Sequence, residues 1–182
     1  MYRFFIQAQL NTINHTLVGY EFLIKEQTVN GWRAPADFSR VPVNVMADLL
    51  IKTTHMLSLK INQVSVNFSR EQLENGGLIE ALIQTQRQLS PTKLNVELTE
   101  DEGSHIVPTA KISEIIQQLK KFGIGFILDD VGSGLNVLAN IEPLLADSYA
   151  LKFAMQNFDR ERNAQLKQDV IFWKNVAAHY QK

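Results

Sequence analysis

Hydrophobic and polar positions along the chain alternate between strand-like and helix-like patterns. Residues 2–10 and 17–25 are rich in aromatic and aliphatic side chains, which indicates two strands. The same pattern predicts further strands at 62–69, 93–100, 124–130 and 149–153. Apolar residues at helical spacing predict helices at 41–57, at 70–89 with a break at Gly76–Gly77, and at 108–122, 134–145 and 158–180. Residues 30–38 contain turn-forming residues and are predicted to form a loop.

Strands and helices alternate from about residue 41 onward. This order favours a parallel sheet with right-handed helical crossovers, which is an α/β fold. Both an open doubly wound sheet and a (β/α) barrel fit this order. A complete barrel has eight strands and typically about 250 residues. With six predicted strands in 182 residues, the chain is short for a closed barrel.

Composition narrows the class of protein. The 182 residues fit one domain. The formal net charge of -1 shows no excess of basic residues, which binding to nucleic acid would favour. The chain has no cysteine, which excludes disulfides and thiolate catalysis and is typical of a cytoplasmic protein. The first residues lack the features of a signal peptide, and no apolar run is long enough to span a membrane. We therefore expect a cytoplasmic protein that contacts neither DNA nor a membrane.

Charged and amide side chains lie at the carboxyl ends of several predicted strands. Ligands of parallel α/β sheets gather at this edge. The residues found there, together with a glutamate inside the second strand, are Glu21, Asn67, Glu97, Glu100, Asp129, Asp130 and Lys152. Several carboxylates at one edge remain ionised only if a cation balances them, and Mg²⁺ and Mn²⁺ favour oxygen ligands. The pattern therefore predicts a divalent-metal site.

Single members of this set also fit simpler structural roles. An aspartate at the end of a strand often caps a helix or bonds to a loop. The glycine-rich turn at 132–134 is a weak phosphate-binding signal by itself. Glu97 is the strongest candidate, because it lies inside an apolar strand where a carboxylate is rare unless it is paired or bound to metal.

Four segments, in order, resemble the motifs of the EAL domain family, the bacterial cyclic di-GMP (c-di-GMP) phosphodiesterases. The segment "GYEFLIK" resembles the Glu-Ala-Leu signature, and "VSVNFSREQL" resembles the asparagine strand of that family. The segment "LNVELTED" resembles the E-x-T-E strand, and "FGIGFILDDVGSGLNVL" resembles the D-D-F-G-T-G-Y-S-S-L segment. The resemblance covers nearly the whole chain.

The resemblance implies a fold, a reaction and roles for individual residues. The fold would be a TIM-type barrel whose first strand is antiparallel to the others, and the reaction would be metal-assisted hydrolysis of c-di-GMP to pGpG with Mg²⁺ or Mn²⁺. The implied metal ligands are Glu21, Asn67, Glu97 and Asp129. Asp130 would serve the second metal, and Lys152 would contact the metal-bound water. Glu100 would anchor the loop at 131–137. Leu23 and Lys25 would contact the substrate.

The chain also departs from the family pattern. Phe22 stands where the signature has alanine, Lys25 where the family has a phosphate-binding arginine, and Ala154 where it has an aspartate. The two last barrel strands of the family, with their A-E-G-V-E and Q-G-Y motifs, are not found. We therefore expect one EAL-like domain over residues 1–182 that is truncated at its C-terminal side. Its barrel would remain incomplete, with about six strands.

Four functions remain open on the sequence. The chain can be an active c-di-GMP phosphodiesterase, or a degenerate domain that binds c-di-GMP without cutting it. It can also be an interaction module that uses the open barrel edge as a partner-binding surface. The partner would be a second copy of the chain, in a homodimer, or another protein. The fourth is an ordinary doubly wound protein outside the family. The resemblance favours an impaired or inactive member of the family.

Overall fold

A computed structural model describes residues 1–11, 13–57, 61–101, 103–155 and 163–182. Within these ranges the strands are β1 (Tyr2–Leu10), β2 (Leu17–Thr28), β3 (Gly31–Arg33), β4 (Gln63–Phe68), β5 (Lys93–Leu98), β6 (Gly125–Leu128) and β7 (Ala150–Leu151). The helices are α1 (Val43–Leu57), α2 (Arg70–Leu73), α3 (Gly76–Leu89), α4 (Thr109–Lys121), α5 (Leu138–Leu145) and α6 (Asn163–His179). None of the helices in the described ranges is long and apolar enough to cross a membrane.

The strands form one mixed sheet in the order β1-β2-β4-β5-β6-β7, with the short β3 added beside β2. Strand β1 is antiparallel to β2. From β2 onward, each strand is parallel to the next one along this path. The predicted α/β fold with an antiparallel first strand is therefore confirmed. Among the described residues β1 and β7 do not pair with each other, so the barrel is not closed.

The two faces of the sheet differ in chemistry because side chains alternate along each strand. One face packs against the helices and is apolar, and its most deeply buried members on β4 and β5 are Val64, Val66, Phe68, Leu94, Val96 and Leu98. The opposite face carries the intervening polar residues Gln63, Ser65, Asn67, Lys93, Asn95 and Glu97. This polar face lies on the inner side of the open barrel and holds the candidate site.

The structure corrects several predicted boundaries. Residues 31–33 were predicted to be loop, but they pair with β2, which is longer than predicted. The predicted helix at 134–145 is divided, because Val137 is extended between a short 3₁₀ turn at Gly134–Asn136 and α5. The last strand is limited to Ala150–Leu151. The beginning of the predicted helix at 158–180 lies outside the described residues, which resume at 163.

Candidate metal centre

Three carboxylates from separate strands converge on the polar face of the sheet. Glu21 lies on β2, Glu97 on β5, and Asp129 directly after β6. One oxygen atom of each carboxylate lies within 4.8 Å of the corresponding atom of the other two. The strand register causes this convergence, because parallel pairing sets Asn67 beside Glu97 and Glu97 beside Ile127. The predicted site residues Glu21, Glu97 and Asp129 are thus brought together.

The ammonium group of Lys152 lies among these three carboxylates. Its Nζ is 3.1 Å from Glu21 Oε2, 2.5 Å from Glu97 Oε2 and 2.9 Å from Asp129 Oδ1. The backbone holds this lysine beside the end of β6, because the Lys152 N–H donates to the carbonyl of Leu128 and its carbonyl accepts from the Val131 N–H. One ammonium balances one of three negative charges, so an excess of two remains when all three carboxylates are ionised. That excess equals the charge of a divalent cation.

Burial sets the titration of the cluster. Removal from water raises the pKa of the Glu97 carboxyl, which is fully buried, and outweighs the opposite effect of Lys152. The pKa of Asp129 is raised for the same reason. Burial alone would lower the pKa of Lys152, but the carboxylates of Glu97 and Asp129 raise it overall. The lysine is therefore charged at neutral pH, and the two carboxyls hold their protons to a higher pH than usual.

Asn67 supplies a further oxygen atom that suits a metal. Its side-chain Nδ2 donates a 2.7 Å hydrogen bond to Glu21 Oε1, which fixes the orientation of the amide. Its Oδ1 atom is buried and has no hydrogen-bond partner among the described residues. A buried acceptor without a partner is rare, since it loses its bonds to water. Three carboxylates and one such oxygen match the ligands that hard divalent cations prefer, so the donor set fits Mg²⁺ or Mn²⁺.

The sequence interpretation missed Gln9, which lies on the same inner face. Its Nε2 is 3.3 Å from Glu97 Oε1 and 3.3 Å from the hydroxyl of Ser65. Glu97 thus accepts from Gln9 on one oxygen and from Lys152 on the other. Position 9 shares its face with position 7 by strand alternation, but only the observed register shows that the edge strand reaches Glu97.

Asp130 and Glu100 lie at the border of this cluster. Asp130 has a left-handed backbone with φ of 46° and does not belong to the group of three converging carboxylates. The Glu100 carbonyl accepts from the Leu135 N–H at 2.9 Å, which joins the end of β5 to the loop at 131–137. A Cβ atom on Gly134 would collide with the same carbonyl, so only glycine permits this approach.

Leu23 and Lys25 lie further along β2, on the same face as Glu21. Both line a cleft of about 230 Å³ whose wall also includes Asn67 and Asp129. A second cleft of about 540 Å³ shares the lining residues Phe38 and Met46 with it. The larger cleft has an apolar floor that includes Phe68. The smaller cleft therefore offers space for part of a small molecule next to the carboxylate of Asp129.

Comparison with known proteins agrees with this geometry. The sequence model of the EAL domain matches residues 3–156. The fold also matches a structure of PaMucR phosphodiesterase in complex with c-di-GMP, with a TM-score of 0.77, 20% sequence identity, and coverage of 99% of this chain and 78% of that chain. No curated protein sequence matches the chain significantly.

Two more solved structures show the same fold. The FimX EAL domain from Pseudomonas aeruginosa bound to c-di-GMP matches with a TM-score of 0.73 and 14% identity, covering 100% of this chain and 77% of that one. The Bacillus subtilis YkuI protein, with an EAL domain and in complex with c-di-GMP and calcium, matches with a TM-score of 0.72 and 14% identity. That match covers 98% of this chain and 46% of YkuI. At these identities the structures establish the fold alone.

Proposed function

This chain belongs to the EAL domain family, and on that premise we propose that it binds c-di-GMP at a divalent-metal centre and hydrolyses it poorly. The observation that carries the proposal is the convergence of Glu21, Glu97 and Asp129 beside the buried oxygen of Asn67. The YkuI protein, which has the same fold, is in complex with c-di-GMP and calcium, and this supports the binding of a nucleotide and a cation by the fold. Mg²⁺ or Mn²⁺ would be the cation.

The cation would supply charge neutralisation on a phosphate and an activated water, which is the usual contribution of metals to phosphodiester hydrolysis. The protein residues have separate tasks. Glu21, Asn67, Glu97 and Asp129 would hold the cation. Lys152 limits the mutual repulsion of the carboxylates at 2.5–3.1 Å from their oxygen atoms. Its charge also favours an anionic ligand at this edge of the sheet.

The ligand would extend from the carboxylates into the adjoining clefts. Lys25 provides a positive charge on the wall of the smaller cleft, and Leu23 provides an apolar contact. The larger cleft combines the exposed aromatic side chain of Phe38 with polar groups, which suits a nucleobase. The c-di-GMP present in the PaMucR, FimX and YkuI structures supports this assignment of the ligand.

Two observations support impaired hydrolysis. Lys25 provides one ammonium where an arginine would provide a planar fork of donors for a phosphate, so orientation of the reacting phosphate is weaker. Among the described residues one group of three converging carboxylates is formed, and Asp130 lies outside it. A second cation would therefore be held more weakly than the first. Both observations support binding with slow or absent turnover.

Replacing Lys25 by arginine is expected to strengthen c-di-GMP binding about tenfold, because the guanidinium can donate two parallel bonds to one phosphate. The measurement is the dissociation constant for c-di-GMP at a fixed Mn²⁺ concentration. Lys52→Arg on the exposed surface of α1 is the matched control and should leave the constant unchanged. Equal affinity of Lys25→Arg and the unaltered chain would remove Lys25 from the ligand-binding surface.

The metal centre itself is tested by titrating the chain with Mn²⁺ and following free Mn²⁺ by electron paramagnetic resonance. The proposal predicts saturable binding that Mg²⁺ displaces. Loss of binding in Asn67→Leu would support the buried amide oxygen as a ligand, because leucine has a similar size and no oxygen. A free Mn²⁺ signal that rises in proportion to the metal added would contradict the proposed centre.

We also propose that the chain forms a homodimer through its exposed edge strand. Within the described residues β1 pairs only with β2, and its apolar side chains Phe5, Ile6 and Leu10 are exposed. An unpaired apolar edge readily adds another strand. Sedimentation equilibrium is expected to show a dimer that Ile6→Lys dissociates. The control Ile171→Lys, at an exposed position of α6, should leave the dimer intact. A monomer at high concentration would contradict this proposal.

A further inference from the structure

The side chain of Asn136 is fully buried in the loop that follows β6. Its Nδ2 donates to the carbonyl of Leu98 at 2.9 Å and also to the carbonyl of Asp129. These carbonyls belong to the end of β5 and to the residue after β6, where regular pairing of the two strands stops. The amide therefore joins the two strand ends that carry the carboxylates of Glu97 and Asp129.

The oxygen of the same amide accepts a hydrogen bond from a buried arginine. Arg70 Nη2 lies 2.8 Å from Asn136 Oδ1 and 3.2 Å from the carbonyl of Leu135. Its Nη1 donates to the carbonyl of Thr99 at 3.1 Å. Burial lowers the pKa of the Arg70 guanidinium, but its ordinary value is so high that the group stays charged. Its planar donors thus bind three carbonyl or amide oxygens at once.

Arg70 is itself held in place by the end of β4. It is the first residue of α2, three positions after Asn67. Ser69 before it caps the helix, since its side chain accepts from the Gln72 N–H while the Gln72 side chain accepts from the Ser69 N–H. This capping box fixes the direction of the chain as it leaves β4, and with it the position of the guanidinium.

From these contacts we propose that Arg70 and Asn136 are positioning residues of the metal centre. Together they connect the ends of β4, β5 and β6, and each of these strand ends carries one of the proposed ligands Asn67, Glu97 and Asp129. Neither residue touches the metal site, so both act through the backbone that supports the ligands. The inference rests on the proposed metal centre and adds the residues that keep its geometry.

The energetic reason is the burial of the network. Arg70 and Asn136 are both buried, so loss of one of their donors leaves acceptors without partners. The strand ends would then move until water or another group satisfies those acceptors. Ligand geometry is sensitive to small shifts, and loss of a residue that orients ligands commonly weakens metal binding about 10–100-fold.

Two substitutions test the proposal while keeping the size of the side chains. Asn136→Asp retains an oxygen for Arg70 but removes both donors to the carbonyls of Leu98 and Asp129. Arg70→Lys retains the positive charge but removes the planar set of donors. Both variants are expected to bind Mn²⁺ at least about tenfold more weakly than the unaltered chain. Asn136→Asp is the sharper test, because an added negative charge near the site would by itself strengthen cation binding.

A purely structural role would give a different result. Leu82→Ala serves as the control, because Leu82 is a buried residue of α3 on the opposite face of the sheet and takes no part in the network. It should lower the unfolding temperature and leave Mn²⁺ affinity unchanged when binding is measured well below that temperature. Equal Mn²⁺ affinity of the folded Asn136→Asp and Arg70→Lys variants and the unaltered chain would overturn the inference. If one of these two variants does not fold, the other decides.

Failure of this inference differs from failure of the metal centre. If the unaltered chain binds no Mn²⁺, the metal centre itself is refuted, and the positioning role falls with it. If the unaltered chain binds and both network variants bind equally well, only the positioning role is refuted. Free Mn²⁺ followed by paramagnetic resonance, with the unfolding temperature of each sample, separates these results without any measurement of activity.

Discussion

Lys152→Met is expected to destabilise the metal-free protein by about 3 kcal/mol at neutral pH, since it removes one partner of a buried ion pair. Glu97 is fully buried, and the lysine is the cation closest to it. The expected value lies at the lower end of the usual range for buried pairs, because 32% of the Lys152 side chain is exposed and water screens part of the interaction. Chemical denaturation without metal measures the effect.

The pH dependence of this loss has a definite sign. Because the pKa of Lys152 is raised, its contribution is complete at neutral pH, and on the alkaline side it is lost as pH rises through that pKa. In the variant, the pKa values of Glu97 and Asp129 rise further. These carboxyls take up protons as pH falls, so the difference in stability between variant and unaltered chain shrinks in acid.

The control for this experiment is a surface ion pair of similar length. Lys120 Nζ lies 2.8 Å from Asp147 Oδ1, and 58% of the Lys120 side chain is exposed. Lys120→Met should change the free energy of unfolding by less than about 1 kcal/mol. Saturating Mn²⁺ should return part of the lost stability to Lys152→Met, because the metal replaces the missing charge. Equal stability of both variants would contradict the role given to Lys152.

Glu97→Gln is expected to weaken Mn²⁺ binding at least about 100-fold, since it removes a charged ligand oxygen from the centre of the cluster. The amide has nearly the shape of the carboxylate, and its single oxygen can still accept a hydrogen bond from Lys152. Its NH2 group replaces the oxygen that accepts from Gln9 and can instead donate to the Gln9 side-chain oxygen once that amide turns over. The carboxylate of the unaltered chain is itself unfavourable in its buried position, which is why its pKa is raised. Stability without metal should therefore change much less than metal affinity.

The contrast between binding and stability makes Glu97→Gln informative. Free Mn²⁺ and unfolding are measured on the same samples. Glu114→Gln, at an exposed glutamate of α4, is the matched control and should alter neither quantity. Unchanged Mn²⁺ affinity of Glu97→Gln would remove Glu97 from the ligand set. Its buried carboxylate would then be stabilised by the contacts with Lys152 and Gln9 and not by a metal.

The sequence predicted those features that depend on local pattern. The alternation along β4 and β5 placed Asn67 and Glu97 on the polar face, and the parallel order placed them at one edge of the sheet. Ser69 lies directly before the helical pattern, the usual place of a capping serine, and the structure shows it in a capping box. Membership of the EAL family, predicted from four short motifs, is confirmed by the match over residues 3–156.

Features that depend on contacts between distant segments were not predicted. The bonds of Gln9 to Glu97, and of Arg70 to Asn136, join residues 88 and 66 positions apart. Their side chains look like ordinary polar residues of a strand, a helix start and a loop. The three-residue β3 was missed because pairing with the extended end of β2, rather than its own composition, holds it in the sheet.

Calorimetric titration of c-di-GMP into the chain, with Mn²⁺ and separately with a chelator, tests the central claim most directly. The reaction mixtures are then analysed for pGpG. We expect saturable heat with Mn²⁺, no heat with the chelator or with Glu97→Gln, and less than one pGpG per protein during the titration. Absence of heat with Mn²⁺ would contradict metal-dependent binding of c-di-GMP. Complete conversion to pGpG would contradict impaired hydrolysis and identify the chain as an active phosphodiesterase.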